Sequence, residues 1–160
     1  MADMPVGRIF KTTFYIDRFA GTLNGVLDKL DYLEDLGISY VHFMPCLKPR
    51  PGDSDGGYSV MDYRAINPAY GTMEDFQSVT TALRDRGISV CVDLVLNHTA
   101  KEHAWAKAAR KGDAEYQDYY LMFDDPAMPR EYEKTLVEIF PDTAPGSFTV
   151  VIGPNGSGKS

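Results

Sequence analysis

The order of apolar and polar positions predicts strands alternating with helices over the first hundred residues or so. Residues 8–19 are rich in aromatic and β-branched side chains and predict a strand. A second strand is predicted over residues 39–44, where Pro45 ends it. Residues 88–98 begin as an apolar run without period-two alternation and turn polar at Asp93, which is typical of a strand buried on both faces.

Two amphipathic helices are predicted between these strands. Within residues 24–36, leucines and valines recur every three or four positions, with Thr22 as a candidate N-cap and Gly37 as a C-terminal cap. Residues 72–86 open on a sequence that resembles a capping box and end before Gly87. The intervening residues 45–71 are rich in Pro, Gly and Asp and predict a long loop, a feature that is usually functional.

This order predicts an α/β fold with right-handed βαβ units and a parallel sheet. After His98 the pattern changes: residues 101–111 predict a helix, residues 115–123 are rich in aromatic side chains, and prolines then predict irregular structure. We interpret this part as an insertion after the third strand. A short β-branched run at 148–152 leads into the final residues.

Composition excludes several classes of function. The chain of 160 residues is 44% apolar and 24% charged, as in ordinary globular proteins, and its net charge of −7 argues against a nucleic-acid partner. The first residues, MADMPVGRIFKTTF, contain no hydrophobic signal-peptide core, and no apolar stretch approaches the about 18–20 residues of a membrane span, so we expect a cytoplasmic protein without a membrane partner. Cys46 and Cys91 lack metal spacing and are predicted to be buried free thiols. The sequence does not predict an oligomeric state.

Two groups of polar residues are candidates for binding or catalysis. Asp93, Asn97 and His98 lie at the end of the third strand, where reacting groups collect in barrels and open sheets. Asp55 and Tyr58 flank paired glycines in the long loop, where a carboxylate can bind hydroxyls and an aromatic ring can stack on a sugar. The alternatives are that the first group caps local backbone and the second is a turn with a packed tyrosine.

The last eight residues match the phosphate-binding pattern G-x-x-x-x-G-K-S. In that pattern Gly153 and Gly158 shape the loop, Lys159 reaches the β- and γ-phosphates and Ser160 binds Mg²⁺, so ATP with Mg²⁺ is the only cofactor that this sequence suggests. A phosphate loop functions at the start of a helix, and no residue follows Ser160 here. We therefore do not expect nucleotide binding, and no other cofactor or metal is predicted.

Several of these stretches together resemble the α-amylase superfamily, glycoside hydrolase family 13, and within it the amylosucrases. They are YIDRFAGTL, YVHFMPCLKPRPGDSDGGY, DYRAINPAYGTMEDF and DLVLNH, followed by the tail NHTAKEHAWAKAARKGD. The resemblance covers residues 14–149 and implies the first three strands of a (β/α)8 TIM barrel plus the start of the insertion after strand three. Residues 148–160 instead resemble the Walker A segment of ABC-type ATPases, including the structural-maintenance-of-chromosomes proteins, which suggests a fusion or truncated junction.

The amylosucrase resemblance implies roles for five residues. His98 would contact the glucosyl ring in the −1 subsite, Tyr58 would stack on that ring, and Asp55 would close the pocket through an arginine elsewhere in the family's chain. Asp93 and Asn97 would support the site. The implied reaction is retaining glucosyl transfer from sucrose to an α-glucan, or hydrolysis of such substrates.

The same resemblance places no catalytic carboxylate in this chain. Retention needs two carboxyl groups about 5–5.5 Å apart, and the family carries them after strands four and five, with a third after strand seven. We expect residues 1–98 to form part of the barrel, 99–147 part of the insertion and 148–160 a tail, and the isolated chain to be inactive and poorly folded. The alternatives are a P-loop ATP-binding protein and a non-catalytic sugar-binding or inert remnant.

Overall fold

A three-stranded parallel sheet organises the first part of the chain. The computed structural model describes residues 9–123, 125 and 127–135. Its strands, in chain order, are β1 (Lys11–Phe14), β2 (Tyr40–Phe43), β3 (Leu47–Pro49), β4 (Val60–Ile66) and β5 (Ser89–Val92). The order in the main sheet is β1-β2-β5, and both pairings are parallel. The parallel α/β sheet predicted from the alternation of elements is therefore confirmed.

Helices lie between the strands of the main sheet and continue after its last strand. They are α1 (Ile16–Ala20), α2 (Leu23–Leu27), α3 (Leu30–Asp35), α4 (Met73–Asp85), α5 (Ala104–Arg110), α6 (Ala114–Gln117) and α7 (Ala127–Glu133). The chain divides into two compact units between Val95 and Leu96.

The first strand is shorter than the sequence predicts. It ends at Phe14, and the aromatic run continues as α1, because Ile16, Phe19 and Ala20 at helical spacing all pack into the core. The predicted helix over residues 24–36 is two helices, α2 and α3. Thr22 caps α2 as predicted, with its hydroxyl accepting a hydrogen bond from the Gly25 N–H at 3.1 Å.

Part of the predicted loop over residues 45–71 is regular. β3 and β4 form a separate antiparallel pair with register shifts on both sides of Lys48, and a short 3-10 turn lies between them at Asp55–Gly57. Val60 and Ile66 at the two ends of β4 are buried. This pair was not predicted because the segment is rich in Pro and Gly. Strands that pair with an irregular register also lack the uninterrupted alternation of apolar and polar residues that predicts a strand.

The helix predicted over residues 72–86 is confirmed as α4. Its capping box is complete: the Asp75 N–H donates to Thr72 Oγ1 at 3.2 Å, and the Thr72 N–H donates to Asp75 Oδ2 at 2.8 Å. Val79 and Leu83 are fully buried against the sheet. With Val41 and Phe43 of β2 they form the centre of the core that fixes the strand ends.

The second unit begins with two helices packed through aromatic rings. Trp105 of α5 meets Tyr119 edge-on at 5.4 Å between ring centroids, and Tyr116 meets Tyr119 at 5.5 Å. The expectation of irregular structure after the prolines is wrong for α7, which starts one residue after Pro126. Pro129 is the third residue of this helix, in the first turn, where a backbone N–H has no partner within the helix, so a proline there does not prevent the helix from forming.

Several sequence interpretations lie outside the described residues. They concern the strand at 148–152 and the phosphate-loop residues Gly153, Gly158, Lys159 and Ser160. Among the helices that the structure does describe, none combines the length and apolar character needed to span a bilayer.

Candidate functional site

Four polar side chains come together where the parallel strands end. His42 is the third residue of β2, Asp93 follows β5 directly, Tyr15 follows β1, and Tyr58 lies just after the 3-10 turn. We call these residues the strand-end cluster. Parallel strands bring their carboxyl ends to one edge of the sheet, which is why residues far apart in sequence meet here.

Asp93 is the centre of this cluster. Its Oδ1 lies 2.9 Å from His42 Nε2, and its Oδ2 accepts a hydrogen bond from the Tyr58 hydroxyl at 3.2 Å. Its backbone N–H donates to the Phe43 carbonyl at 3.2 Å, so the residue stays aligned with β2 after β5 has ended. Tyr63 of β4 holds the same segment two residues later, with its hydroxyl donating to the Val95 carbonyl at 2.6 Å.

The surroundings of Tyr58 keep its phenol protonated. Burial raises its pKa above the ordinary value, and the negative charge of Asp93, the hydrogen bond to Asp93 and the proximity of Tyr15 raise it further. The hydroxyl is therefore a hydrogen-bond donor at neutral pH. Asp93 exerts the same effect on the buried thiol of Cys46, whose pKa is raised to about 11, mainly by burial. Cys46 and the partly buried Cys91 are both free thiols.

A third tyrosine, Tyr70, lies close to Tyr15 at this edge. Tyr70 is almost fully buried, and its pKa is raised by burial and by the nearby carboxylate of Asp17. Its backbone carbonyl accepts a hydrogen bond from the Leu23 N–H at 2.8 Å, which connects the end of the β3–β4 segment to α2. Protonated phenols therefore line the edge on more than one element.

The 3-10 turn that precedes Tyr58 depends on its two glycines. Gly56 and Gly57 both have positive φ angles, and a Cβ at Gly56 would lie 3.1 Å from the Tyr15 hydroxyl. A Cβ at Gly57 would lie 3.1 Å from the Pro45 carbonyl oxygen. Asp55 also has a positive φ of 53°, and its side chain is exposed. The turn therefore presents a carboxylate and an aromatic ring three residues apart.

Three of the five predicted site residues lie in the first unit, and the other two lie in the second. Tyr58 and Asp93 are in direct contact, and Asp55 precedes Tyr58 in the same turn. Asn97 and His98 belong to the second unit, where Asn97 is exposed and His98 is partly buried. The roles proposed for all five residues remain predictions.

His42 was not among the residues predicted from the sequence, although it alternates with the apolar residues Val41 and Phe43 in β2. In β2 the burial alternates, with Val41 and Phe43 buried and Tyr40 and His42 partly buried. A histidine on the less buried face, near the end of a strand beside β5, is a candidate for meeting Asp93. The register that brings them together pairs His42 with Cys91, and this pairing is a property of the tertiary structure.

Metal binding finds no support among the described residues. Within residues 9–123, 125 and 127–135, no group of three or more His, Cys, Asp or Glu side chains is placed to hold an ion. Two of the four side chains in the strand-end cluster are phenols, which serve better as hydrogen-bond donors and stacking surfaces than as metal ligands.

A parallel sheet with polar groups at its carboxyl edge is the arrangement of α/β enzymes, both (β/α)8 barrels and open sheets. The family model for the α-amylase catalytic domain matches residues 8–144. The chain therefore belongs to the α-amylase family.

Curated relatives agree with this assignment. Alpha-amylase 3 of Dictyoglomus thermophilum is 42% identical over 102 residues, covering 63% of this chain and 20% of the relative. Trehalose-6-phosphate hydrolase of Escherichia coli is 39% identical over 111 residues, covering 68% of this chain and 20% of the relative. Oligo-1,6-glucosidase of Parageobacillus thermoglucosidasius is 40% identical over 119 residues, covering 72% of this chain and 21% of the relative. The chain spans about a fifth of the length of these relatives.

Solved structures show the same partial overlap. Trehalulose synthase MutB from Pseudomonas mesoacidophila matches with a TM-score of 0.63 and 35% identity, over 71% of this chain and 21% of that one. Trehalose-6-phosphate hydrolase from Bacillus licheniformis matches with a TM-score of 0.62 and 34% identity, over 69% of this chain and 21% of that structure's chain. The sheet and its connections therefore correspond to part of a (β/α)8 barrel.

Proposed function

We propose that this chain contributes part of the glucoside-binding site of a retaining α-amylase-family enzyme that hydrolyses or transfers glucosyl groups. The observation that supports this most strongly is the contact between Tyr58 and Asp93 at the carboxyl edge of the parallel sheet. A protonated phenol held by a carboxylate presents a rigid aromatic face, which is suited to stacking on a sugar ring.

The five residues have distinct roles in this proposal. Tyr58 stacks on the glucosyl ring of the −1 subsite, and His98 donates a hydrogen bond to a hydroxyl of that ring. Asp55, exposed in its turn, pairs with an arginine from another part of the enzyme. Asp93 and Asn97 hold the surrounding groups in place. The two reacting carboxylates come from outside this chain, as the amylosucrase resemblance implies.

For the donor we propose sucrose, with an α-glucan as acceptor. The stretches that resemble amylosucrases support this choice, and a solved structure of trehalulose synthase MutB contains its substrate sucrose. Other relatives act on different glucosides, as the names oligo-1,6-glucosidase and trehalose-6-phosphate hydrolase state. We also propose that the protein is cytoplasmic, because the thiols of Cys46 and Cys91 are free and the cytosol keeps thiols reduced.

The first unit has a buried core and a complete helix cap, so we propose that the chain folds on its own, against the expectation from its sequence, and sugar titrations of the 160-residue chain test this function. Sucrose, an α-1,6-linked disaccharide and trehalose 6-phosphate are each titrated while chemical shifts of the protein are followed by NMR. We expect sucrose to bind most tightly, and Tyr58→Ala to weaken its binding about tenfold through loss of the stacked ring. His98→Ala should also weaken binding.

Tyr32→Ala is the matched control, because Tyr32 is an exposed tyrosine of α3 outside the strand-end cluster. An equal loss of affinity in Tyr32→Ala and Tyr58→Ala would contradict the stacking role. Tighter binding of one of the other two sugars would contradict sucrose as the donor while leaving the glucoside site in place.

A further inference from the structure

We propose that His42 is a positioning residue that orients the ring of Tyr58 by acting through Asp93. The sugar-binding consequence rests on the function proposed above, whereas the positioning itself does not. The three side chains form one continuous chain of contacts, from His42 Nε2 to Asp93 Oδ1 at 2.9 Å and from Asp93 Oδ2 to the Tyr58 hydroxyl at 3.2 Å.

The backbone fixes the first link of this chain. β2 and β5 are parallel neighbours, and His42 lies opposite Cys91 in their register. Asp93 is two residues beyond Cys91, so its side chain emerges on the same side of the sheet as that of His42. The hydrogen bond from the Asp93 N–H to the Phe43 carbonyl extends the pairing to this point. The two side chains therefore face each other across adjacent strands.

The chemistry fixes the direction of the hydrogen bonds. An ionised carboxylate can only accept, so His42 must present an N–H at Nε2, and both its neutral tautomer with a proton there and its cation satisfy this requirement. The pair is also shielded, with only 18% of the His42 side chain and 25% of the Asp93 side chain exposed. A contact with this burial holds the carboxylate plane more firmly than an exposed pair would.

The second contact, between Asp93 and Tyr58, fixes the position of the Tyr58 hydroxyl. Tyr58 is not part of a strand: it follows a 3-10 turn whose glycines have positive φ angles, so the sheet does not set its position directly. Its hydroxyl bonds the carboxylate oxygen that His42 leaves available. If His42 no longer held Oδ1, the carboxylate could rotate and the end of the Tyr58 ring would lose its fixed acceptor.

NMR of the sugar-free chain tests the positioning. With ring-labelled tyrosine, the ζ-carbon resonance of Tyr58 is assigned with Tyr58→Phe and then recorded in His42→Phe and His42→Gln. Phenylalanine preserves a planar, half-buried ring without a donor, and glutamine preserves an N–H donor. We expect His42→Phe to shift the Tyr58 resonance towards that of an unbonded phenol, and His42→Gln to restore much of the original position.

Tyr40→Phe is the matched control, because Tyr40 lies on the same face of β2 at its other end. It should leave the Tyr58 resonance unchanged. An unchanged resonance in His42→Phe would overturn the proposal, as would the same shift in His42→Phe and Tyr40→Phe. Tyrosine resonances at unfolded positions in the unmutated chain would overturn both this proposal and the proposed function.

Sucrose titration then tests the consequence for binding. We expect His42→Phe to weaken binding about 3- to 10-fold, the effect of losing one positioning hydrogen bond. In the Tyr58→Phe background the same substitution should have no further effect, because the hydroxyl that connects the two residues is absent. Additive losses would overturn the relay through Asp93. If no sugar binds the unmutated chain, the proposed function fails, and the resonance of Tyr58 alone decides the role of His42.

Discussion

At the scale of single residues, the site depends on one carboxylate that serves two partners. Asp93 accepts hydrogen bonds from His42 and Tyr58 through different oxygens. Its charge also contributes to the raised pKa values of Tyr58 and Cys46. Since Tyr58 and Cys46 remain protonated at neutral pH, the carboxylate of Asp93 lies among hydrogen-bond donors and not beside other anions, an arrangement that suits the binding of hydroxyl groups.

Replacement of Asp93 by asparagine tests the electrostatic part of this description. Asp93→Asn removes the charge, so the pKa of Tyr58 should fall towards the ordinary value of about 10, while burial keeps it somewhat above that value. A pH titration of the tyrosine ζ-carbon resonances measures this shift. Asp28→Asn, at an exposed position next to α2, is the control and should leave the pKa of Tyr58 unchanged.

The turn before Tyr58 provides a second test at this scale. Gly57→Ala should destabilise the chain by about 1–3 kcal/mol, because its positive φ is unfavourable for alanine and the new Cβ would crowd the Pro45 carbonyl. Gly52→Ala has a similar positive φ but open space around its Cβ, so it carries only the backbone cost. Chemical denaturation measures the difference, and equal losses in the two variants would exclude crowding as a cause.

At the scale of elements, α4 is the clearest case of a helix specified by its own sequence. The capping box of Thr72 and Asp75 begins it, and buried Val79 and Leu83 attach it to the sheet. Asn24 of α2 adds a contact, donating from its side-chain amide to Asp75 Oδ1 at 2.9 Å. These hydrogen bonds lower the pKa of Asp75, so its stabilising contribution is present above the ordinary carboxyl pKa and is lost as the pH falls through the lowered value.

Removing the cap should weaken the first unit measurably. Thr72→Ala deletes the acceptor for the Asp75 N–H, and the expected loss is about 1 kcal/mol in the free energy of unfolding. Thr81→Ala makes the same change at an exposed position inside α4, where alanine favours the helix, so it should not destabilise. Urea unfolding followed by circular dichroism compares the two variants. A loss in Thr81→Ala equal to that in Thr72→Ala would contradict the capping role.

At the scale of the whole molecule, the chain provides a limited part of a barrel. It spans about a fifth of the relatives that it matches, and its main sheet contains three parallel strands among the described residues. A closed barrel of this type has eight strands, and its active site is assembled from loops after several of them. The strand-end cluster therefore lies at the edge of the sheet where the loops of a closed barrel would assemble an active site.

We expect the 160-residue chain alone to release no glucose or fructose from sucrose. Retention requires a nucleophile and an acid/base carboxyl about 5–5.5 Å apart, and the amylosucrase resemblance places both on strands beyond those of this chain. A coupled assay for the two sugars measures this, with Asp93→Asn as the control for contaminating activity. Activity in the purified chain that Asp93→Asn abolishes would contradict the prediction and reveal carboxylates that sequence reasoning missed.

The amino-acid sequence by itself determined the alternation of strands and helices, the capping of α2 and α4, and the motifs that place the chain in the α-amylase family. These features are local, because they depend on residue spacing and on hydrogen bonds between near neighbours. The meeting of His42, Tyr58 and Asp93, the pairing of β3 with β4 and the end of β1 at Phe14 were decided only by the tertiary structure. Each of these depends on strand register and core packing between distant segments, and residue spacing along the chain does not specify them.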